Sequence, residues 1–149
     1  MEIQKEKSPT EDLWLDINTT EPGIEHFYEF TDFMRRAWNI EDACFTNMEI
    51  ALSEALINAA EHGNKWNEEK QIHAHASFDD EQFIISIKDE GSGFDSTGTA
   101  NSSAHKNMTK PGGRGILIMK SLADYVQYSD GGKCVKLIFR NKTLLESFR

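Results

Sequence analysis

Glu54, Asn58 and Glu61 fall at i, i+4 and i+7 within MEIALSEALINAAEHGN, residues 48–64, and His62 stands at their edge. On a helix that spacing aligns carboxylate, amide and carboxylate along one face. Such a row is also the pattern of a solvated surface, and it becomes a site only if another part of the chain brings it something to hold. Two glycine clusters downstream are suited to that. Asp89-Glu90-Gly91-Ser92-Gly93-Phe94 is a D-x-G-x-G that follows an alternating, strand-like stretch. Glycines there let backbone approach a ligand closely, and an aspartate at the strand end can accept a hydrogen bond from an amino group. Gly112-Gly113-Arg114-Gly115 stands directly before an apolar helical pattern. A glycine turn feeding a helix N-terminus offers free N–H groups and the positive dipole end to phosphate oxygens, and Lys110 and Arg114 add charge. Neither cluster matches the P-loop GxxxxGK[ST], and no βαβ unit surrounds them to make a dinucleotide fingerprint.

The elements that must position these residues are legible from periodicity. Leu13, Leu15 and Ile17 alternate with Trp14, Asp16 and Asn18, which predicts a two-faced strand. Thr20 is placed to cap a helix with Pro22 in its first turn, whose apolar side carries Ile24, Phe27, Tyr28, Met34 and Trp38. Asn39 is expected to cap the next helix, with Glu41 and Asp42 in its first turn. That helix buries Phe45, Met48, Leu52, Ala55, Leu56 and Ala59, and is expected to run continuously to a stop at Gly63-Asn64. QIHAHASF and QFIISIKDE form a hairpin turning at Asp79-Asp80-Glu81. From Asp95 to Pro111 the periodicity fails in a serine-, threonine- and asparagine-rich stretch, a long loop of the kind that serves as a lid. A helix from Gly115 through ILIMKSLAD and strands at Tyr125–Tyr128 and Val135–Phe139, joined at Asp130-Gly131-Gly132, complete the pattern. The expected fold is an α/β (α+β) two-layer sandwich, a mainly antiparallel sheet covered on one face by helices.

Composition sets the outer limits. The chain has 149 residues, a hydrophobic fraction of 38% and a net charge of −9. That length suits one domain with its own core. A chain this acidic is a poor fit to a nucleic-acid surface, which needs a basic patch, although it remains compatible with a bound nucleotide whose charge is handled locally. No apolar run approaches the ~20 residues of a membrane span, and MEIQKEKSPTEDLW lacks the apolar core of a secretory signal. Cys44 and Cys134 are far apart with no metal-ligand spacing, so packing thiols in a reducing cytoplasm are expected. His73 and His75 share a strand face without fitting carboxylate or cysteine partners in sequence, the pattern of exposed sheet histidines. Residues 1–11 and 142–149 are expected to be flexible ends flanking a domain over 12–141.

Taken together and in order, E-x-x-x-N-A-x-x-H-G, D-x-G-x-G and G-G-x-G resemble the GHKL superfamily of ATPases and kinases. More narrowly the chain, from about Leu13 to Arg140, is similar to the bacterial anti-sigma factor serine kinases, with ALSEALINAAEHGN and GGRGILIMKSLADYV the nearest segments. The resemblance implies ATP and Mg²⁺ as cofactors. It implies that Asn58 coordinates the metal and contacts ATP, that Glu54 is the general base toward a substrate serine, and that Asp89 binds the adenine amino group. Gly91, Gly93 and Phe94 would shape the pocket, His62 marks the motif, and the segment of about 95–111 would be the lid. Lys110, Gly113, Arg114, Gly115 and Ile116 would surround the phosphates. The partners implied are a sigma factor and an anti-anti-sigma (STAS-type) protein phosphorylated on serine, with a possible homodimer. A non-catalytic ATP-binding regulatory module is the alternative. A histidine kinase lacks support because no dimerisation helix pair with a phosphoacceptor histidine is present. One departure stands out: the family's Gly-Thr step in the last hairpin reads Gly132-Lys133-Cys134, without a hydroxyl.

Overall fold

The structure, a computed structural model, describes residues 11–93 and 111–142. Phe94, Lys110 and most of the expected lid lie outside the described residues. In chain order the elements are β1 (Glu11–Asn18), α1 (Glu21–Ala37), α2 (Asp42–Ile57), a π-helical turn (Asn58–Gly63), β2 (Gln71–Phe78), β3 (Gln82–Lys88), α3 (Pro111–Leu122), β4 (Tyr125–Ser129) and β5 (Cys134–Arg140).

The five strands form one sheet in the order β1-β2-β3-β5-β4, and all four pairings are antiparallel. Strand alternation decides the layering. Ile17, Ile72, Ala74, Ala76, Phe83, Ile85, Ile87, Val135, Leu137 and Phe139 are buried on one face, together with Phe27 and Met34 of α1 and Met48, Leu52, Ala55 and Leu56 of α2. The opposite face carries His73, His75, Lys136 and a Trp14 that is 73% exposed. This is the two-layer α+β sandwich expected from the sequence. Trp38, Phe78 and Phe83 close one end of the core, with ring centroids 4.5–6.1 Å apart.

Local chemistry accounts for the helix ends, with one reversal. Thr20 caps α1 through its side chain, accepting from the Gly23 N–H at 3.1 Å, and Pro22 sits in the first turn. Asn39 does not cap the following helix. It lies in the left-handed region (φ 50°) and closes α1: its N–H donates to the Arg36 carbonyl, and the Ile40 N–H donates to Arg35. That pair of bonds is a Schellman motif with asparagine in the position that glycine usually takes. Asparagine suits both roles, and the backbone after Trp38 decides between them.

The second helix also differs from expectation. It is α-helical only to Ile57, and Asn58–Gly63 winds as a π-helical turn. The chain then reverses through Lys65 and Trp66, both left-handed, at φ 54° and 57°. Gly63 therefore is not a left-handed stop. The glycine cluster near residue 112 differs too: α3 begins at Pro111, so Gly112, Gly113 and Gly115 lie inside the helix and not before it. Proline at the first helical position fits there because its missing N–H has no intrahelical partner to lose.

Candidate functional site

Glu54 on α2 and Asn58, the first residue of the π-helical turn, are one turn apart, half-buried, and face α3. What they face is Gly115. A Cβ placed there would stand 2.8 Å from Glu54 Oε1 and 3.2 Å from Asn58 Nδ2, so only glycine lets the helices approach this closely without moving both side chains. The first N–H groups of an α-helix have no intrahelical partner, and in α3 those fall on Gly112 and Gly113. A carboxylate, an amide and the opening turn of a glycine-rich helix thus meet at one place. Carboxylate and amide oxygens are hard donors that suit Mg²⁺, which takes one or two protein ligands when phosphates and water complete its shell. The Asn58 amide oxygen fits that requirement, and the Glu54 carboxylate stands beside it.

The second half of the site is built on Asp89, directly after β3. It is 7% exposed, and burial pushes its carboxyl above the usual carboxylate range, opposed by the Gly91 N–H that donates to Oδ1 at 2.8 Å and by the Lys133 and Lys70 charges. A Cβ on Gly63 would overlap this carboxylate, and one on Gly91 would overlap the Gly63 carbonyl. The glycine after His62 is therefore there to admit Asp89. Asn58 and Gly63 are the first and last residues of the π-helical turn, so the Asn58 amide and the carboxylate packed on Gly63 stand at its two ends. Gly93 (φ +83°) packs on the Gly131 carbonyl, and the Asp89 N–H donates to the Lys133 carbonyl at 2.9 Å.

Sequence spacing does not single out the residue that joins these pieces. Asn64 is 1% exposed, and its side chain donates to Thr19 Oγ1 (2.8 Å) and the Gln71 carbonyl (3.0 Å) and accepts from the Glu90 N–H (2.7 Å). It ties the π-helical turn to β1, β2 and the loop carrying Asp89, with every hydrogen-bonding group used. The π turn aims it there: the Asn64 N–H donates to Ala59, five residues back, at 2.8 Å. Extra-residue turns of this kind often stand at functional sites.

Glu61 and His62 do not join the Glu54–Asn58 pair. The wider turn carries Glu61 and His62 off the Glu54–Asn58 row; both are exposed and face each other at 3.4 Å. Arg114 is exposed, and the Ile116 side chain packs against the core, leaving only its backbone to face a ligand. Outside the site, His73 bonds Asp16 (2.7 Å) with one ring nitrogen and Glu90 (2.8 Å) with the other. These two carboxylates, Asp16 first, hold the His73 imidazole above its ordinary value. His75 stacks on Trp14 (3.9 Å) and bonds Asp12. Among the described residues no three of His, Cys, Asp and Glu group as metal ligands, and no helix is long and apolar enough to cross a membrane.

Comparison with known proteins gives the family and the fold. A family model described as the histidine kinase-like ATPase domain matches residues 25–139. An anti-sigma F factor from Clostridium perfringens is 29% identical over 100 residues, covering 65% of this chain and 71% of that protein. Another, from Halalkalibacterium halodurans, is 30% identical over 106 residues, covering 68% and 71%. The serine-protein kinase RsbW of Staphylococcus epidermidis is 32% identical over 108 residues, covering 67% and 65%. The crystal structure of the RsbU and RsbW domains of a Mycobacterium tuberculosis protein superposes with a TM-score of 0.56 at 13% identity, over 88% of this chain and 31% of that one, a likeness of fold. The chain thus spans about a third of that larger protein. It belongs to the histidine kinase-like ATPase domain family, among the bacterial anti-sigma factor serine kinases.

Proposed function

We propose that this chain is an ATP- and Mg²⁺-dependent protein-serine kinase that holds a sigma factor and phosphorylates an anti-anti-sigma (STAS-type) protein on serine. The observation that carries the reading is the meeting of Glu54 and Asn58 at Gly115. It sets a carboxylate beside an amide and the N-terminal turn of α3, while the buried Asp89 stands at the far end. In this reading Asp89 accepts from the adenine amino group, and Gly91 and Gly93 keep the pocket wall to bare backbone. Asn58 would hold Mg²⁺, and the first turn of α3, with Gly113, Arg114, Gly115 and the Ile116 backbone, would cover the phosphates. The metal, when bound, neutralises charge on the transferring phosphoryl group. Glu54 takes the proton from the attacking serine hydroxyl, a step that needs a carboxylate near the phosphates but no covalent intermediate. The relatives named anti-sigma F factor and serine-protein kinase RsbW support the regulatory setting, in which phosphorylation decides which partner is held.

Incubation with γ-labelled ATP, Mg²⁺ and a candidate anti-anti-sigma protein, followed by mapping of the label, tests this directly. Label on a serine of that protein is expected. ATP binding with no transfer to it would instead favour a regulatory module that uses nucleotide only to shape a protein surface.

A further inference from the structure

We infer that the side of α2 turned away from α3 is the docking strip for the serine-bearing substrate, with Ile50 and Ile57 gripping apolar side chains on either side of the acceptor serine. The inference rests on the kinase reading above, and it assigns where the protein substrate, as opposed to the nucleotide, is held. At about 100° per residue, Asn58 and Ala51 lie 40° and 60° from Glu54 toward α3, whereas Ile50 and Ile57 lie about 40° and 60° from it on the other side. The α3 side of Glu54 is filled, by Gly115 against the carboxylate and by the fully buried Met119 one turn on. The far boundary is α1, fixed to α2 by the hydrogen bond from the Tyr28 hydroxyl to Ser53 Oγ at 3.0 Å.

Between these limits lie three apolar side chains that folding leaves open: Ile50 (45% exposed), Ile57 (37%) and Tyr28 (37%). Along the axis Glu54 sits between the two isoleucines, about 6 Å from Ile50 and 4.5 Å from Ile57 at 1.5 Å per residue. A serine hydroxyl presented to Glu54 must approach from this side, so the surface around it is laid over both isoleucines. Among the described residues, the unpaired charges nearest Glu54 and Tyr28 on the strip are acidic, Glu54 itself with exposed Glu21 and Glu25 on the Tyr28 side of α1, while Arg35 at the Phe45 end is paired with Asp32. The occupant is therefore a protein surface in which the acceptor serine is flanked by apolar residues and rimmed by basic ones.

Ile50→Ser, Ile57→Ser and the double variant test this with the STAS-type protein that the wild-type chain phosphorylates. The double variant is expected to raise KM for that protein about tenfold, with kcat and KM for ATP within twofold of wild type. A preserved ATP-induced rise in melting temperature shows that its fold and nucleotide site are intact. An unchanged protein KM overturns the inference. So does a fall in apparent mass with KM unmoved, which would make the strip a contact between copies of this chain. If the wild type transfers no phosphate, the kinase reading fails on its own terms, and calorimetry with the same protein and Mg-ATP decides the strip. Weaker binding by the double variant sustains it; equal binding, or none by either chain, overturns it.

Discussion

At the scale of single residues, the site depends on side chains that are absent as much as on those present. Gly115 is required because any Cβ would press on Glu54 and Asn58. Helix propensity pulls the other way, since glycine inside a helix is roughly 0.5–1 kcal/mol less favourable than alanine. Gly115→Ala should therefore leave the melting temperature unchanged or slightly raised while phosphotransfer falls about tenfold or more, equivalent to ~1.4 kcal/mol in the barrier. Equal loss of stability and activity would indicate a general packing role. Asp89 shows the same opposition between fold and site. Its pKa is raised mainly by burial. A folded-state value above the unfolded one means that stability present at low pH is lost as pH rises through the folded value, so at neutral pH the ionised group works against folding. Asp89→Asn should raise the melting temperature of the ligand-free protein and weaken ATP binding about tenfold. A lower melting temperature would show that the carboxylate is wanted by the fold itself.

At the scale of elements, two junctions hold the site in shape. Asn64 satisfies buried partners on three segments at once. Asn64→Ala leaves the Glu90 N–H without its acceptor and should reduce unfolding free energy by about 2–3 kcal/mol in a urea titration. A change within experimental error would mean that water replaces it. His73 ties Asp16 of β1 to Glu90 of the Asp89 loop. Because its pKa is raised, the stability it contributes is complete below the unfolded imidazole value and fades as pH rises through the higher folded one. The melting-temperature gap between wild type and His73→Gln should accordingly be widest near pH 5–6 and shrink above neutrality; a gap independent of pH would show that protonation plays no part.

Element identity was legible from periodicity almost throughout, and so were the Thr20 cap and the buried stripe of α2. Boundaries governed by distant contacts were not. Asn39 has the chemistry of an N-cap and serves as a C-terminal left-handed residue, because α1 ends at Trp38. The π-helical turn leaves no trace in hydrophobic spacing; it is set by Asn64 reaching Thr19, Gln71 and Glu90. For the same reason Glu61 and His62 look aligned with Glu54 on an ideal helix and leave the row in the folded chain. The Gly63–Asp89 contact joins residues 26 apart, and no local pattern reports it.

At the scale of the whole molecule, the sheet and helices set the Glu54–Asn58 pair against the first turn of α3 and the buried Asp89 at the other end of the π-helical turn, the ends that the proposed reading gives to phosphates and base. The family match fixes the fold, and Glu54 is the residue on which the kinase and binding-module readings part company. In the proposed reading nucleotide binding uses Asn58, Asp89 and the glycines, and only transfer to serine uses a base. The deciding measurement is a paired one on Glu54→Ala: ATP affinity by calorimetry, and single-turnover transfer of labelled phosphate to the anti-anti-sigma protein. Affinity within a few-fold of wild type with transfer reduced by a factor on the order of 10²–10⁴ is the expected result. Transfer at the wild-type rate would contradict it and remove Glu54 from the reaction.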